Sequence, residues 1–166
     1  CRLWFQVRVT VWARFRVRPR LRRLMVCLLS MSKGRAESIG RYALFEEIAS
    51  GGMATVYFGR QLGLAGFART VAIKRLHKHL AKDPEFVAMF LDEARLASRI
   101  RHPNVVATLD VATDNGELII VMDYVHGESL SGLVATMERN QERIPLAILT
   151  SIVTQALSGL HAAHEA

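Results

Sequence analysis

Cysteine is almost missing from this 166-residue chain: Cys1 and Cys27 are the two, and none follows. Beyond residue 27 that excludes a disulfide scaffold and a thiolate metal site, and a thiol-free domain is expected in a reducing, cytoplasmic setting. Acid is missing from residues 1–30, which hold eight arginines (Arg2, Arg8, Arg14, Arg16, Arg18, Arg20, Arg22 and Arg23). The other 136 residues carry 14 basic and 15 acidic side chains. The net charge of +7 is therefore a property of the amino-terminal arm, and the rest of the chain gives no reason to expect nucleic acid as a partner. Long apolar runs are missing from the arm too; its longest is residues 24–29, too short for a membrane anchor. No membrane segment is expected elsewhere in the chain.

Residues 1–38 read as a basic arm lying outside the fold. Its arginine content suits an organelle-targeting or nucleic-acid-binding arm, but upstream sequence read in frame is the preferred reading, because the chain opens on Cys1 and Met31 begins a conventional polar lead-in. Composition changes abruptly at Met31, and the fold is expected to begin near Ile39. At this length the chain has room for one domain with a core and hardly for two.

From residue 41 onward, β-prone runs at 42–48 and 55–60 flank Ser50-Gly51-Gly52, which predicts a hairpin. After a glycine-rich turn, residues 69–76 predict a third strand. Asp83-Pro84-Glu85 combines an N-cap acceptor, a proline at the first helical position and an acid in the first turn, which predicts a helix to about residue 101, ahead of Pro103. Residues 105–112 and 117–122 predict a second hairpin, because Asn115-Gly116 is the pair that best tolerates two positive φ angles. Two helices are expected over residues 129–139 and 145–164. In the second of them Ile148, Ile152, Ala156 and Leu160 form the expected apolar stripe, left uncovered if nothing more packs there.

Lys74 lies in the apolar run Val71-Ala72-Ile73-Lys74, and strand lysines are ordinarily solvated. The helix starting at Pro84 presents Phe86, Phe90, Glu93, Ala97 and Ile100 along one face, so Glu93 lies on an apolar stripe. An acid there needs a cation, for which Lys74 is a candidate; Asp92, about 100° round the helix, can face solvent. Gly51 and Gly52 taken alone indicate only a turn, and no helix follows directly, which removes the dinucleotide-fold and Walker-type readings. His161 and His164 read as packed histidines rather than metal ligands, and Met53 and Met122 as core or pocket residues. His77 and His79, with Lys78 and Lys82, read as a solvated basic face.

The ordered series from Ile48 to Val56, Val71-Ala72-Ile73-Lys74, Glu93, His102-Pro103-Asn104-Val105-Val106 and Val121-Met122-Asp123-Tyr124-Val125-His126-Gly127 resembles the protein kinase family. It is most similar to bacterial serine/threonine kinases whose phosphate loop reads Gly-Gly-Met. The resemblance implies an α+β fold, a kinase N-lobe at residues 39–125 with a five-stranded antiparallel sheet and one long helix. Residues 126–166 would be the first two helices of a truncated C-lobe. It implies ATP and Mg²⁺ as cofactors and a protein substrate of unknown identity. Lys74 would contact the α and β phosphates and pair with Glu93. Met122 would control the back of the adenine pocket, and the backbone of Asp123 and Val125 would bond the adenine edge. Val56, Ala72 and Leu130 would line the adenine faces, Ile48 would cover them, and Ser129 would reach the ribose. Ala49 and Ala54 stand where the family has the outer glycines, which should stiffen the loop, while Gly51 remains. By the same resemblance the catalytic aspartate and the metal-binding residues would follow Ala166, so transfer by this chain alone is not expected. A non-catalytic nucleotide-binding or interaction module is the alternative.

Overall fold

The computed structural model describes residues 37–166. The strands are β1 (Glu37–Ile39), β2 (Tyr42–Ser50), β3 (Ala54–Leu62), β4 (Ala68–Leu76), β5 (Thr108–Asp114) and β6 (Glu117–Asp123). The helices are α1 (Pro84–Arg99), α2 (Leu130–Arg139) and α3 (Leu146–His164). All strands join one antiparallel sheet in the order β1-β2-β3-β4-β6-β5. The sheet thus has six strands rather than the expected five, and Glu37 and Ser38 belong to it rather than to the arm. Three residues with one buried side chain, Ile39, are too few to show a strand period.

Local chemistry sets the boundaries. Asp83 accepts from the Glu85 N–H at 2.9 Å and Pro84 opens α1. At the β5–β6 turn Asn115 and Gly116 have φ of 49° and 76°, the pair of left-handed residues that a tight two-residue hairpin turn needs. Val105 and Val106, expected in a strand, are buried in the segment ahead of β5 instead. His102 and Val105 close a turn there, with the Val105 N–H donating to the His102 carbonyl at 3.0 Å.

Side chains alternate between the faces of the sheet, and each face has its own core. On one, Ala54, Ala72, Leu76, Leu118, Ile120 and Met122 pack with Phe90 and Ala94 of α1. On the other, Tyr42, Leu44, Val71, Ile73, Ile119 and Val121 pack with Ile39. The sheet curls, so β1 comes near β5 and the Gly40 N–H donates to Asp114 at 3.0 Å. Gly59 sits where β3 is pressed against this second core. A Cβ added there would lie 2.2 Å from Ile73 Cδ1 and 2.9 Å from the Ala43 carbonyl oxygen.

The second face also holds the buried guanidinium of Arg75, bound to Glu37 at 2.6 and 3.0 Å and to Glu117 at 2.5 Å. Lys78 reaches Glu117 at 2.7 Å. Nearby, Tyr42 donates its hydroxyl proton to Asp110 and Arg41 pairs with the same carboxylate at 2.7 Å, which holds Asp110 below the usual carboxylate range. Burial by itself would raise the Glu117 carboxyl, but the hydrogen bonds from Lys78 and Arg75 outweigh it and hold it low.

In α3 the expected apolar stripe is corrected. Ile152 is buried, at 8% exposure, and Gly159 lies against the loop before β5, where an added Cβ would be 2.9 Å from the Asn104 carbonyl oxygen. Asn104 donates to Gln155 at 3.1 Å on the same side. The uncovered stripe runs through Leu146, Leu149, Val153, Leu157 and Leu160. Both stripes have helical spacing, so periodicity could not tell which one meets the rest of the fold. By length and composition α3 is also apolar enough to cross a membrane, alone in this among the described residues.

Two outcomes test this architecture. Gly59→Ala should cost about 1–3 kcal/mol, read as a lowered melting temperature, because the Ala43 carbonyl cannot move without β2. Glu117 titrates lower folded than unfolded, so its stabilisation is complete above the unfolded value and is lost as pH falls through the folded one. Glu117→Gln should therefore be less stable than the parent near neutral pH, with the gap closing in pH-dependent melts as acidification passes below the ordinary glutamate range.

Candidate functional site

Strand β4 delivers two side chains to the face that α1 covers. The register places Val56 and Ile120 on either side of Lys74, and Phe58 and Met122 on either side of Ala72. Ala72 is thus the small member of a row of larger apolar groups. Ala72 is itself buried, and partly buried Val125 and Tyr124 pack against the same cluster.

Lys74 Nζ lies 2.5 Å from Glu93 Oε1, with the side chains 19% and 29% exposed. The ammonium is also 5.6 Å from the centroid of Phe90, one turn before Glu93. Asp92 faces outward and pairs with Arg95 at 2.8 Å. The ion pair is a short bridge between sheet and helix, half-screened by water and still open to a third group.

The loop at residues 51–53 joins β2 to β3. The Gly51 N–H donates to the Ala54 carbonyl at 3.0 Å, and the β2–β3 register is interrupted twice between Leu44 and Ala49. Added Cβ atoms would meet nothing closer than 3.7 Å at Gly51 and nothing within 4 Å at Gly52, and neither φ is left-handed. The fold itself does not require glycine there, so these residues leave backbone open to an approaching group. Ala49 and Ile48 are exposed at the end of β2, whereas Ala54 is a core residue on the α1 side.

At the other end, β6 runs through Met122 into an extended connection. The Asp123 N–H donates to the Ala107 carbonyl at 3.0 Å and is thus engaged within the fold. The Asp123 carboxylate binds Arg69 at 2.6 Å. Tyr124 stands edge-on to Phe58 at 5.1 Å and to His126 at 4.7 Å, packing the connection against β3. Phe58 and Tyr124 were not singled out in the sequence; the alternation of Phe58 with Val56 was the available signal. Ser129 caps α2, accepting from the Gly132 N–H at 3.1 Å, and Leu130 beside it is exposed. The structure therefore brings Val56, Ala72, Lys74, Glu93, Met122 and Val125 to the sheet face that α1 covers, with Ile48 and Ala49 at the end of β2 and Gly51 and Gly52 in the turn after it.

The protein kinase domain family matches residues 42–166, three quarters of the chain. The chain belongs to the protein kinase family. Among curated relatives it is 40% identical over 126 residues to the tyrosine-protein kinase MasK of Myxococcus xanthus, covering 76% of this chain and 20% of that protein. It is 40% identical over 132 residues to the probable serine/threonine-protein kinase pknA2 of Bifidobacterium longum, covering 76% and 16%. The solved PknI kinase domain of Mycobacterium tuberculosis superposes with a TM-score of 0.62 at 28% identity, over 80% of this chain and 51% of that one. The chain thus spans about half of that kinase domain and a fifth or less of these curated relatives.

The kinase ion pair generates its own test. Glu93→Ala leaves an ammonium in a half-buried apolar face and should cost about 1 kcal/mol, given partial solvent screening. Asp92→Ala should stay within about 0.5 kcal/mol of the parent in the same chemical denaturation series, because its partner is exposed.

Proposed function

We propose that residues 37–166 are the nucleotide-binding portion of a protein kinase that transfers the γ-phosphoryl group of ATP to serine or threonine of another protein. The observation that carries this is the Lys74–Glu93 ion pair at 2.5 Å, on the strand that also carries Ala72 and beside a hairpin that ends in an open glycine turn. An ammonium fixed by a carboxylate keeps its charge and direction, and it has donors left for phosphate oxygens. The adenine would lie in the slot between Val56 and Ala72 on one side and Leu130 on the other, with Ile48 over it and Met122 behind. The Asp123 carbonyl and the Val125 backbone would hold its edge. Ser129 accepts from the Gly132 N–H at the cap of α2 and shares a hydrogen bond with the Ser131 hydroxyl at 3.0 Å, so it would reach a ribose by exchanging that second contact.

The charge of ATP suits these residues, since Lys74 supplies a cation for its phosphates. Magnesium does not find a site among them, since Glu93, the carboxylate beside Lys74, is engaged by the ammonium. Serine/threonine specificity draws its support from the names of most of the relatives, and MasK, named a tyrosine kinase, marks what a phosphoamino-acid analysis must decide. The absence of cysteine beyond residue 27 supports a cytoplasmic setting.

The chain should bind ATP, and Lys74→Met should weaken ATP more than adenosine in calorimetric titration, because the slot survives while a phosphate contact goes. Equal losses for both ligands would count against the role given to Lys74, and no binding of either would count against the nucleotide site. The 166 residues hold no counterpart of the kinase catalytic loop, so no transfer from radiolabelled ATP to protein is expected from this polypeptide alone. Transfer that disappears in Lys74→Met would require a base among these residues, and ATP binding without transfer in a version extended by a kinase catalytic loop would favour the non-catalytic module.

A further inference from the structure

Thr55 and Arg75 are register partners on the sheet face away from the slot, and both are buried, at 7% and 8% exposure. Arg75 is held by Glu37 and Glu117. Thr55 is held differently. Its Oγ1 lies 3.1 Å from His77 Nε2 and 3.1 Å from Ser50 Oγ, while the His77 N–H donates to the Met53 carbonyl at 2.9 Å. His77 is therefore not part of a solvated basic face, the role its neighbours in sequence suggested. Its ring is tied into the sheet.

This chain of hydroxyl, hydroxyl and imidazole links the end of β2, the start of β3 and the residue after β4. Thr55 can donate to one neighbour and accept from the other, so in either direction both contacts are complete hydrogen bonds. Ser50 and Thr55 bracket residues 51–53, and the register shifts before Ala49 leave only the pairs Ala49↔Val56 and Ser50↔Thr55 to hold that side. A cavity of about 320 Å³ lined by Thr55, Tyr57, Arg75, His77, Lys78 and His79 lies over the chain. Hydrogen bonds rather than close packing must therefore hold the loop from this side. Val56 and Lys74 point to the opposite face, so a nucleotide in the slot would not touch the chain.

We infer that Ser50, Thr55 and His77 form a clasp behind the phosphate loop, with Thr55 and His77 acting as positioning residues for the triphosphate. The inference rests on the nucleotide reading above and adds residues which that reading does not use. A loop released from behind keeps the adenine slot intact but no longer presents the Gly51 and Gly52 backbone at a fixed distance from Lys74. The clasp should therefore matter to ATP and hardly to adenosine.

The test is calorimetric titration of the chain with ATP and with adenosine. Thr55→Val keeps the shape and removes the hydroxyl; Thr55→Ser keeps the hydroxyl. His77→Phe removes the ring nitrogen; His77→Gln restores a nitrogen near the Nε2 position. Thr55→Val and His77→Phe should each weaken ATP roughly three- to tenfold, the worth of one net hydrogen bond, with adenosine changed by less than about twofold. Thr55→Ser and His77→Gln should stay near the parent. Should Thr55→Val lose its cooperative melt, the His77 pair decides on the same two ligands. Equal losses for both ligands, no loss for ATP, or a Thr55→Ser as weak as Thr55→Val would each overturn the clasp. If Lys74→Met weakens ATP while these variants do not, the clasp alone falls; if the parent chain binds no ATP, both readings fall.

Discussion

A cation cannot be left unpaired against an apolar helix face, and that constraint organises this structure. Lys74 reaches that face because strand alternation sends every second residue of β4 toward α1. Glu93 answers from the helix at 2.5 Å, and Phe90, one turn earlier, packs into the core beneath. The pair is partly wet, so most of the binding of α1 to the sheet must come from Phe90, Ala94 and their neighbours. What the ion pair contributes is direction: it fixes how the helix is turned and where the ammonium points.

The same strand serves the other face. Val71 and Ile73 feed the second core, and Arg75 beyond them is held by carboxylates from β1 and β6. A strand gripped on both faces has little freedom to slide or twist, which is what a residue presenting one charged group to a ligand needs. Gly59 shows how tight this grip is, since β3 approaches Ile73 too closely for any side chain. The loop at residues 51–53 is the contrast, with open space round its glycines and a broken register leading into it.

Much of this could be read directly. Asp83-Pro84-Glu85 marked the start of α1 because capping is a matter of adjacent residues. Asn115-Gly116 marked the hairpin because its two φ angles are a local demand. Glu93 stood out as an acid on an apolar stripe, and the ordered series of motifs pointed to the kinase family before any coordinate. The misses share a cause of the opposite kind. Strand β1 is three residues long and is defined by what it pairs with and by Arg75 reaching Glu37 from the far side of a curled sheet. The covered stripe of α3 is chosen by Asn104 meeting Gln155 and Gly159, fifty residues away in the chain.

The sequence by itself therefore determined the order of elements, their caps and turns, the family, and the pairing of an acid with a lysine. These follow from propensity, periodicity and charge, which act over a few residues or one helical turn. Only the tertiary structure decided that His77 is bound to Thr55 rather than solvated, that the Asp123 N–H is already used, and that the sheet has a sixth strand. Each of these depends on which distant groups are brought within hydrogen-bond reach. That is set by how the sheet curls and where the helices settle, and no local pattern of residues carries it.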